Sequence, residues 1–390
     1  MPLTYCLNIH PGETWAENFA ALRAPVLAVR DLVSGGKPFG LGLRLSAAAA
    51  ATLDDPARLA ELDAFLRAEN LFVFTVNAFP YGRFHGGPVK ENVYAPDWRS
   101  PSRRDYTNQV ADILAALLPE GGTGSISTVP CSWKPWIQSP ADLAPILNHL
   151  TDCVGHCAGI AEQRGRDILL ALEPEPGCLL ETTSETVDFF KNHLFTRGAA
   201  ELAAKLRRPV AAARELIRHH LGVCLDTCHV ALQFEDPAES LRRYASEGIR
   251  VPKIQISSAL RTDAARAALD ALRPFVEPVY LHQVKARAPD GEILSWNDLP
   301  QALAEIPGTA AAGEVRVHFH VPLHFTGFGP LGSTGALLTP AFLTNIQSDP
   351  LTHLEIETYT WDVLPPGVRS TSIEHSIAAE FRWLTEHSAG

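Results

Sequence analysis

Short apolar runs that end on a metal-capable side chain recur along this sequence: Leu169–Glu173, Val223–Asp226, Lys253–Gln255 and Leu354–Glu357. A buried strand that finishes on a carboxylate or an amide leaves polar atoms at its carboxyl end. In a barrel of parallel strands all carboxyl ends open on one mouth, so residues far apart in sequence meet around one ion. The recurrence therefore predicts a metal-dependent enzyme built on parallel strands.

The alternation of elements points to the same architecture. Strand-like runs occur at Thr4–Ile9, Phe39–Leu45, Leu71–Asn77, Ser125–Val129, Ile168–Glu173, Val223–Asp226, Lys253–Ser257 and Leu354–Tyr359. Between them lie Ala-, Leu- and Arg-rich stretches at Thr14–Leu32, Asp55–Ala68, Arg103–Leu117, Ala141–Gln163, Arg208–His220 and Asp236–Tyr244, with apolar residues near helical spacing. A helical run at Ile373–Leu384 closes the chain. Repeated βα units make a parallel sheet, and eight of them predict an α/β fold, the TIM (β/α)8 barrel. Residues 1–390 read as a single domain of this kind. Between the seventh and eighth runs, residues 279–335 break the rhythm with Val279–Val284, a Pro289-Asp290-Gly291 turn, Glu314–Val321 and a Gly-rich loop, and are expected to form an inserted β-rich segment. A second long loop, from Ala78 to Ser102, carries Tyr81, Phe84, Tyr94 and Trp98 among prolines and glycines. It is expected to cross the barrel mouth, as a binding lid or as a structural cover.

Composition narrows the partners. Lys and Arg number 33 against 44 Asp and Glu, a net charge of −11, and the acids are dispersed. Without a basic surface, nucleic acid and anionic membranes are excluded as expected partners. No run approaches a membrane span, and the start of the sequence lacks a charged region followed by an apolar core. A cytoplasmic protein without membrane insertion is expected. Seven cysteines in no compact framework fit free thiols in a reducing compartment. The expected partner is a small-molecule metabolite, with homo-oligomerisation left open.

The candidate chemistry sits at the strand ends. Glu173 closes its run against Pro174, with Glu175 as second choice. Asp226 closes the next and His229 follows three positions later, a pairing in which a hard carboxylate and a neutral imidazole can both serve an ion or a substrate oxygen. Gln255 offers an amide oxygen. Glu355 and Glu357 share a strand face, and Glu357 lies nearer the carboxyl end, leaving Glu355 behind it. In the insertion His282, His318 and His320 are candidates to reach ion or substrate, His320 first among them. Asn8, His10 and Glu13 follow the first strand and Trp133, Lys134 and Trp136 the fourth, so His10, Trp133 and Lys134 are expected to meet substrate at the mouth or to pack its rim. The loop Gly327–Gly335 spells G-x-G-x-x-G without the strand–helix context of a dinucleotide site. Cys153, His156 and Cys157 share a helix face without a nearby fourth zinc ligand.

These strand-end motifs resemble the xylose isomerase-like TIM barrel superfamily of the sugar phosphate isomerase/epimerase type. In its sugar-epimerase branch a Glu, an Asp, a His and a second Glu hold one divalent ion, and a His follows the Asp in D-x-x-H. The resemblance implies Glu173, Asp226, Gln255 and Glu357 as ligands of Mn, Mg, Co or Zn, His229 as the substrate-side histidine and Arg261 as a contact to substrate oxygens. Gln255 departs from the family's histidine, and an amide is the poorer ligand. The stretches Tyr5–Glu13, Val89–Trp98 and Glu355–Trp361 are also similar to the EboE group, whose label of metabolite traffic defines no reaction.

The implied activity is isomerisation or epimerisation of a sugar, polyol or related hydroxyketone by proton transfer through a metal-stabilised enediolate. Glu173 and Glu357 would act on opposite faces of the carbon as catalytic acid and base, while His229 and Arg261 orient oxygens. Two alternatives belong to other classes. One is a non-catalytic metabolite-binding or traffic protein, the other a metal-dependent hydrolase.

Overall fold

The computed structural model describes residues 3–306, 313–369 and 371–388. Seven strands precede the insertion: β1 (Leu3–Tyr5), β2 (Phe39–Arg44), β3 (Leu71–Asn77), β4 (Thr123–Thr128), β5 (Asp167–Leu172), β6 (Leu221–Asp226) and β7 (Lys253–Ile256). The insertion contributes β8 (Ala259–Asp263), β9 (Val284–Arg287), β10 (Ile293–Trp296), β11 (Glu314–His320) and β12 (Gly332–Ser333), and β13 (His353–Ile356) follows it. The first seven strands and β13 form one sheet in the order β1-β13-β7-β6-β5-β4-β3-β2, parallel throughout. A parallel bridge between Cys6 and Gly42 joins β1 to β2 and closes the ring. The chain is the expected TIM barrel.

Local signals explain the helices around it. Helix Trp15–Ala21 starts on a Thr14 capping box completed by Glu17, and helix Pro56–Ala68 starts on Asp55 with proline at its first position. Helix Leu143–Arg164 stops at Gly165, whose φ of +61° terminates it in the left-handed region. Among the described residues no helix is long and apolar enough to cross a membrane. The expected strands are found with shifted ends. The first run is a strand only to Tyr5, and Leu7–Ile9 turns as a 3-10 helix that carries Asn8 over the barrel mouth.

Strands β8 to β12 build a separate antiparallel sheet in the order β10-β9-β11-β8-β12. It begins at Ala259, directly after β7, ahead of the stretch 279–335 that the sequence marks as unusual. Of that stretch, 307–312 lie outside the described residues. The register between β11 and β8 slips between Val317 and His320, where the strand runs over the barrel mouth.

The loop after β3 crosses the mouth and clasps this sheet. Its base is organised by Arg103, fully buried, which donates from Nε to the Pro96 carbonyl at 2.7 Å and from Nη1 to the carbonyls of Ala78 and Phe79 at 2.9 Å. Farther along, the amides of Val89 and Lys90 donate to the Val279 carbonyl, and Lys90 Nζ meets Asp298 at 2.6 Å. Phe84 from the loop, Tyr280 from the insertion and Tyr359 from the end of β13 pack as a small aromatic cover.

The closing helix Ile373–Ser388 ties these parts together through Glu380, which is buried. Its Oε1 accepts from Thr358 Oγ1 at 2.7 Å and from the Leu323 amide at 3.0 Å. Burial pushes this carboxyl up from 4.5 to about 7. A folded pKa above the unfolded one favours the fold at low pH, and that contribution is lost as pH rises from 4.5 to about 7. Glu380→Gln keeps the accepting oxygen and removes the ionisation, so the variant is expected to match the parent near pH 4 and to be more stable by up to ~3 kcal/mol at pH 8. Urea unfolding at both pH values checks this, and equal midpoints at pH 8 would contradict it.

Candidate metal centre

Strand parity stacks polar side chains inside the barrel in layers. At the bottom Ser125 Oγ donates to Thr75 Oγ1 at 2.8 Å and lies 2.9 Å from His353 Nδ1. Above it Lys253 Nζ donates to Ser127 Oγ at 3.1 Å and pairs with Glu355 at 2.7 Å, both side chains fully buried. Burial works against the Lys253 charge, and the adjacent Glu355 carboxylate outweighs it, holding the ammonium above its usual range. Glu355 fits because β2 carries Gly42 opposite: a Cβ there would lie 1.8 Å from Glu355 Oε1. One layer higher, Gln255 Oε1 accepts from Cys224 Sγ at 3.2 Å, and its Nε2 makes no hydrogen bond.

At the mouth, one residue past β5 and β13 and at the end of β6, the carboxylates of Glu173, Glu357 and Asp226 converge with ligand atoms within 4.8 Å of one another. All three are buried. Asp226 Oδ1 caps helix Thr227–Leu232 by accepting from the amides of Cys228 and His229 at 2.7 and 3.1 Å, and it accepts from Ser257 Oγ at 2.6 Å. Its Oδ2 takes no hydrogen bond, nor does Glu173 Oε2. Glu357 Oε1 accepts from Asn8 Nδ2 at 2.6 Å and from Asn77 Nδ2 at 3.5 Å. Burial, and then the neighbouring carboxylates, push Glu173 and Glu357 well above the usual carboxylate range. Three buried carboxyl groups turned toward one another, with Glu173 Oε2 and Asp226 Oδ2 left without a donor, are the donor set a divalent cation needs, so the residues fit such an ion.

Three imidazoles border this group, each oriented by its Nδ1. His320 Nδ1 lies 3.0 Å from the Glu357 carbonyl, His229 Nδ1 2.9 Å from the Pro174 carbonyl and His318 Nδ1 2.7 Å from Gln283 Oε1. His320 Nε2 is buried without a hydrogen bond, and His320 forms a ligand-competent group with Asp226 and His229. The imidazole beside Asp226 thus comes from β11 rather than from β7, where Gln255 stands. Burial pushes His320 down to about 4 and His318 well below its ordinary value, so both rings are neutral near pH 7. Glu175 completes a second group with His229 and His318. It accepts from Tyr94 Oη at 3.3 Å, and burial pushes it up to about 7. His282 is occupied elsewhere, between the His318 carbonyl and Glu277.

Other residues singled out in the sequence lie apart from these groups. Arg261 is exposed on β8, where Nε donates to the Ser333 carbonyl at 2.8 Å and Nη1 lies 3.7 Å from Glu314, because β8 runs outward into the antiparallel sheet. His10 is turned away onto Tyr5 Oη at 2.9 Å. Lys134 pairs with Glu181 and Glu185, both at 2.7 Å. Trp133 stacks on Tyr94 at 5.0 Å and covers Gly177, so it stands behind the tyrosine that meets Glu175. His156 bonds Asp112, and the trio with Cys153 and Cys157 forms no ligand group among the described residues. Lys253, Asn77 and Tyr94 were not singled out as functional, although Lys253 shares strand parity with Gln255.

Asn8, Asn77, Glu173, Glu175, His229, His318 and Glu357 line a cavity of about 50 Å³ together with Phe84, Tyr280 and Tyr359. A cleft of about 1230 Å³ lies at the opposite end of the barrel, around Leu241, Pro252 and Phe342, away from the carboxylate group. No family model and no curated protein matches the chain. Among solved structures it is similar to the probable 3-DHS dehydratase AsbF from Bacillus anthracis, at 14% identity and TM-score 0.47 over 99% of both chains. A xylose isomerase domain protein from Planctomyces limnophilus matches at 15% and 0.45, covering 93% of this chain and 88% of that one. The IOLI protein, solved with a binding zinc atom, matches at 14% and 0.45, covering 100% and 98%.

The ion pair beneath the carboxylates is testable without a ligand. Lys253→Met leaves Glu355 buried and uncompensated and is expected to cost about 3–5 kcal/mol, whereas adding Glu355→Leu is expected to restore most of it. Urea unfolding of the two variants beside the parent measures this; a double variant as unstable as the single would show that the pair itself stabilises the barrel.

Proposed function

We propose that this chain is a divalent-metal-dependent isomerase or epimerase acting on a sugar, polyol or related hydroxyketone. One observation carries the reading: Glu173, Asp226 and Glu357 meet at the barrel mouth with buried, unbonded oxygens on Glu173 and Asp226. With these three, His320 beside Asp226 is the fourth donor, and Gln255 would join it only by turning its amide oxygen from Cys224. A bound cation supplies Lewis acidity that polarises a substrate carbonyl and acidifies the neighbouring C–H.

The protein residues do the proton work. Glu173 and Glu357 are the pair that removes and returns the proton, since both carboxylates reach the same cavity from different strand ends, after β5 and after β13. Asn8 and Asn77 hold Glu357 in place through Nδ2 donors, a positioning role. His229 stands on the substrate side of the cavity and places a substrate oxygen. The cavity of about 50 Å³ has room for a few waters, and Phe84, Tyr280 and Tyr359 pack along it. The reading takes the substrate as a small-molecule metabolite and the protein as cytoplasmic.

Elemental analysis of the purified protein beside Glu173→Ala and Asp226→Ala, each checked by circular dichroism, is expected to show bound metal in the parent and loss of an ion in both variants. With Mn or Zn present, transfer of deuterium from solvent into candidate ketoses, followed by NMR, is expected to fall by about 10²-fold or more in Glu173→Gln. A folded parent that takes up no ion would overturn the metal mechanism. Metabolite binding with no exchange in any candidate would leave a binding protein instead.

A further inference from the structure

We propose that the pocket holds a second divalent cation, bound by His229, His318 and Glu175. The site goes beyond the single ion on the carboxylates, and it follows from where the imidazole lone pairs point. A carbonyl oxygen can only accept, so His229, 2.9 Å from the Pro174 carbonyl, carries a proton on Nδ1, and as a neutral ring it presents the Nε2 lone pair. Gln283 donates from Nε2 to the Pro176 carbonyl at 2.9 Å, which sets the amide and turns Oε1 toward His318 Nδ1 at 2.7 Å. His318 therefore also carries its proton on Nδ1. The two Nε2 atoms face each other at 3.1 Å.

Each ring is pinned by its own acceptor, so two neutral rings hold their lone pairs against each other and neither turns away. A cation between them converts the repulsion into two bonds. Nitrogens bound to tetrahedral zinc at about 2.0–2.1 Å stand roughly 3.3 Å apart, close to the spacing here. Glu175 Oε2 lies 3.6 Å from His229 Nε2, and the three ligand atoms lie within 4.8 Å of one another. Each ligand has an outer partner of the kind that orients metal-binding side chains: the Pro174 carbonyl, the Gln283 amide and the Tyr94 hydroxyl. Two imidazoles and one carboxylate select Zn(II) or Co(II) over Mg(II). Asp226 Oδ2, 4.0 Å from His229 Nε2, makes this position the immediate neighbour of the first ion, so a substrate with two adjacent oxygens can span both. His229 then places a substrate oxygen through the ion it holds.

Cobalt(II) added to the metal-free protein tests the site, read as ions per chain and as visible absorption. The parent is expected to bind two ions. His318→Ala and Glu175→Gln are expected to bind one and to lose part of the visible spectrum, with His318→Asn as a smaller change should the alanine variant fail to fold. The double variant Glu173→Gln and Glu357→Gln is expected to lose the carboxylate ion and to keep the imidazole-bound one, so failure of the first site and failure of the second give different results. A parent that binds one ion, or a His318→Ala protein that still binds two with an unchanged spectrum, would overturn the proposal.

Discussion

Three buried carboxylates brought within 4.8 Å of one another are the constraint on which the rest of the site depends. Like charges at that separation cannot all ionise unless something positive answers them. The fold supplies partial answers from every side. Asp226 takes the amides at the start of helix Thr227–Leu232 and the Ser257 hydroxyl, Glu357 takes two asparagine amides, and Lys253 sits below them. None of these reaches Glu173 Oε2 or Asp226 Oδ2. The remaining field favours a cation at the mouth.

That demand explains why the barrel interior is polar from bottom to top. A column of Ser125, Thr75, Lys253, Glu355 and Gln255 replaces the branched apolar layers that usually fill such a barrel. A buried ion pair contributes little net stability, because taking both charges out of water offsets their attraction. Its contribution here is electrostatic: an ammonium under the carboxylates lowers the cost of ionising Glu173. Gly42 pays for nothing by packing and serves by leaving room for Glu355.

The insertion and the loop after β3 complete what the barrel lacks. Strand β11 reaches over the mouth and sets His318 and His320 among the strand-end acids, while the loop brings Tyr94 to Glu175 and Phe84 to the cover. Both are held by hydrogen bonds to backbone carbonyls and by the Lys90–Asp298 pair, contacts that water can replace. The barrel strands have no such alternative.

Strand periodicity made the barrel legible in the sequence, because a side chain's face in a strand depends on parity alone and a strand's end is marked by proline or a polar residue. The same local rule put Glu173, Asp226 and Glu357 at carboxyl ends, where a closed ring of parallel strands brings them together. Lys253 was opaque because a lysine opening a strand reads as exposed until Glu355 on the next strand is known to face it. Arg261 lies six residues past Gln255, but β8 leaves the barrel there and carries it outward. Which atoms of His229, His318 and His320 are bare depends on the carbonyls of Pro174 and Glu357 and the amide of Gln283, partners distant in sequence for His229, His318 and His320 alike. The sequence by itself determined the barrel and the acids at its mouth, through short-range pattern. Only the tertiary structure decided counter-ion, tautomer and cover, because each depends on the distance between groups that the chain order does not relate.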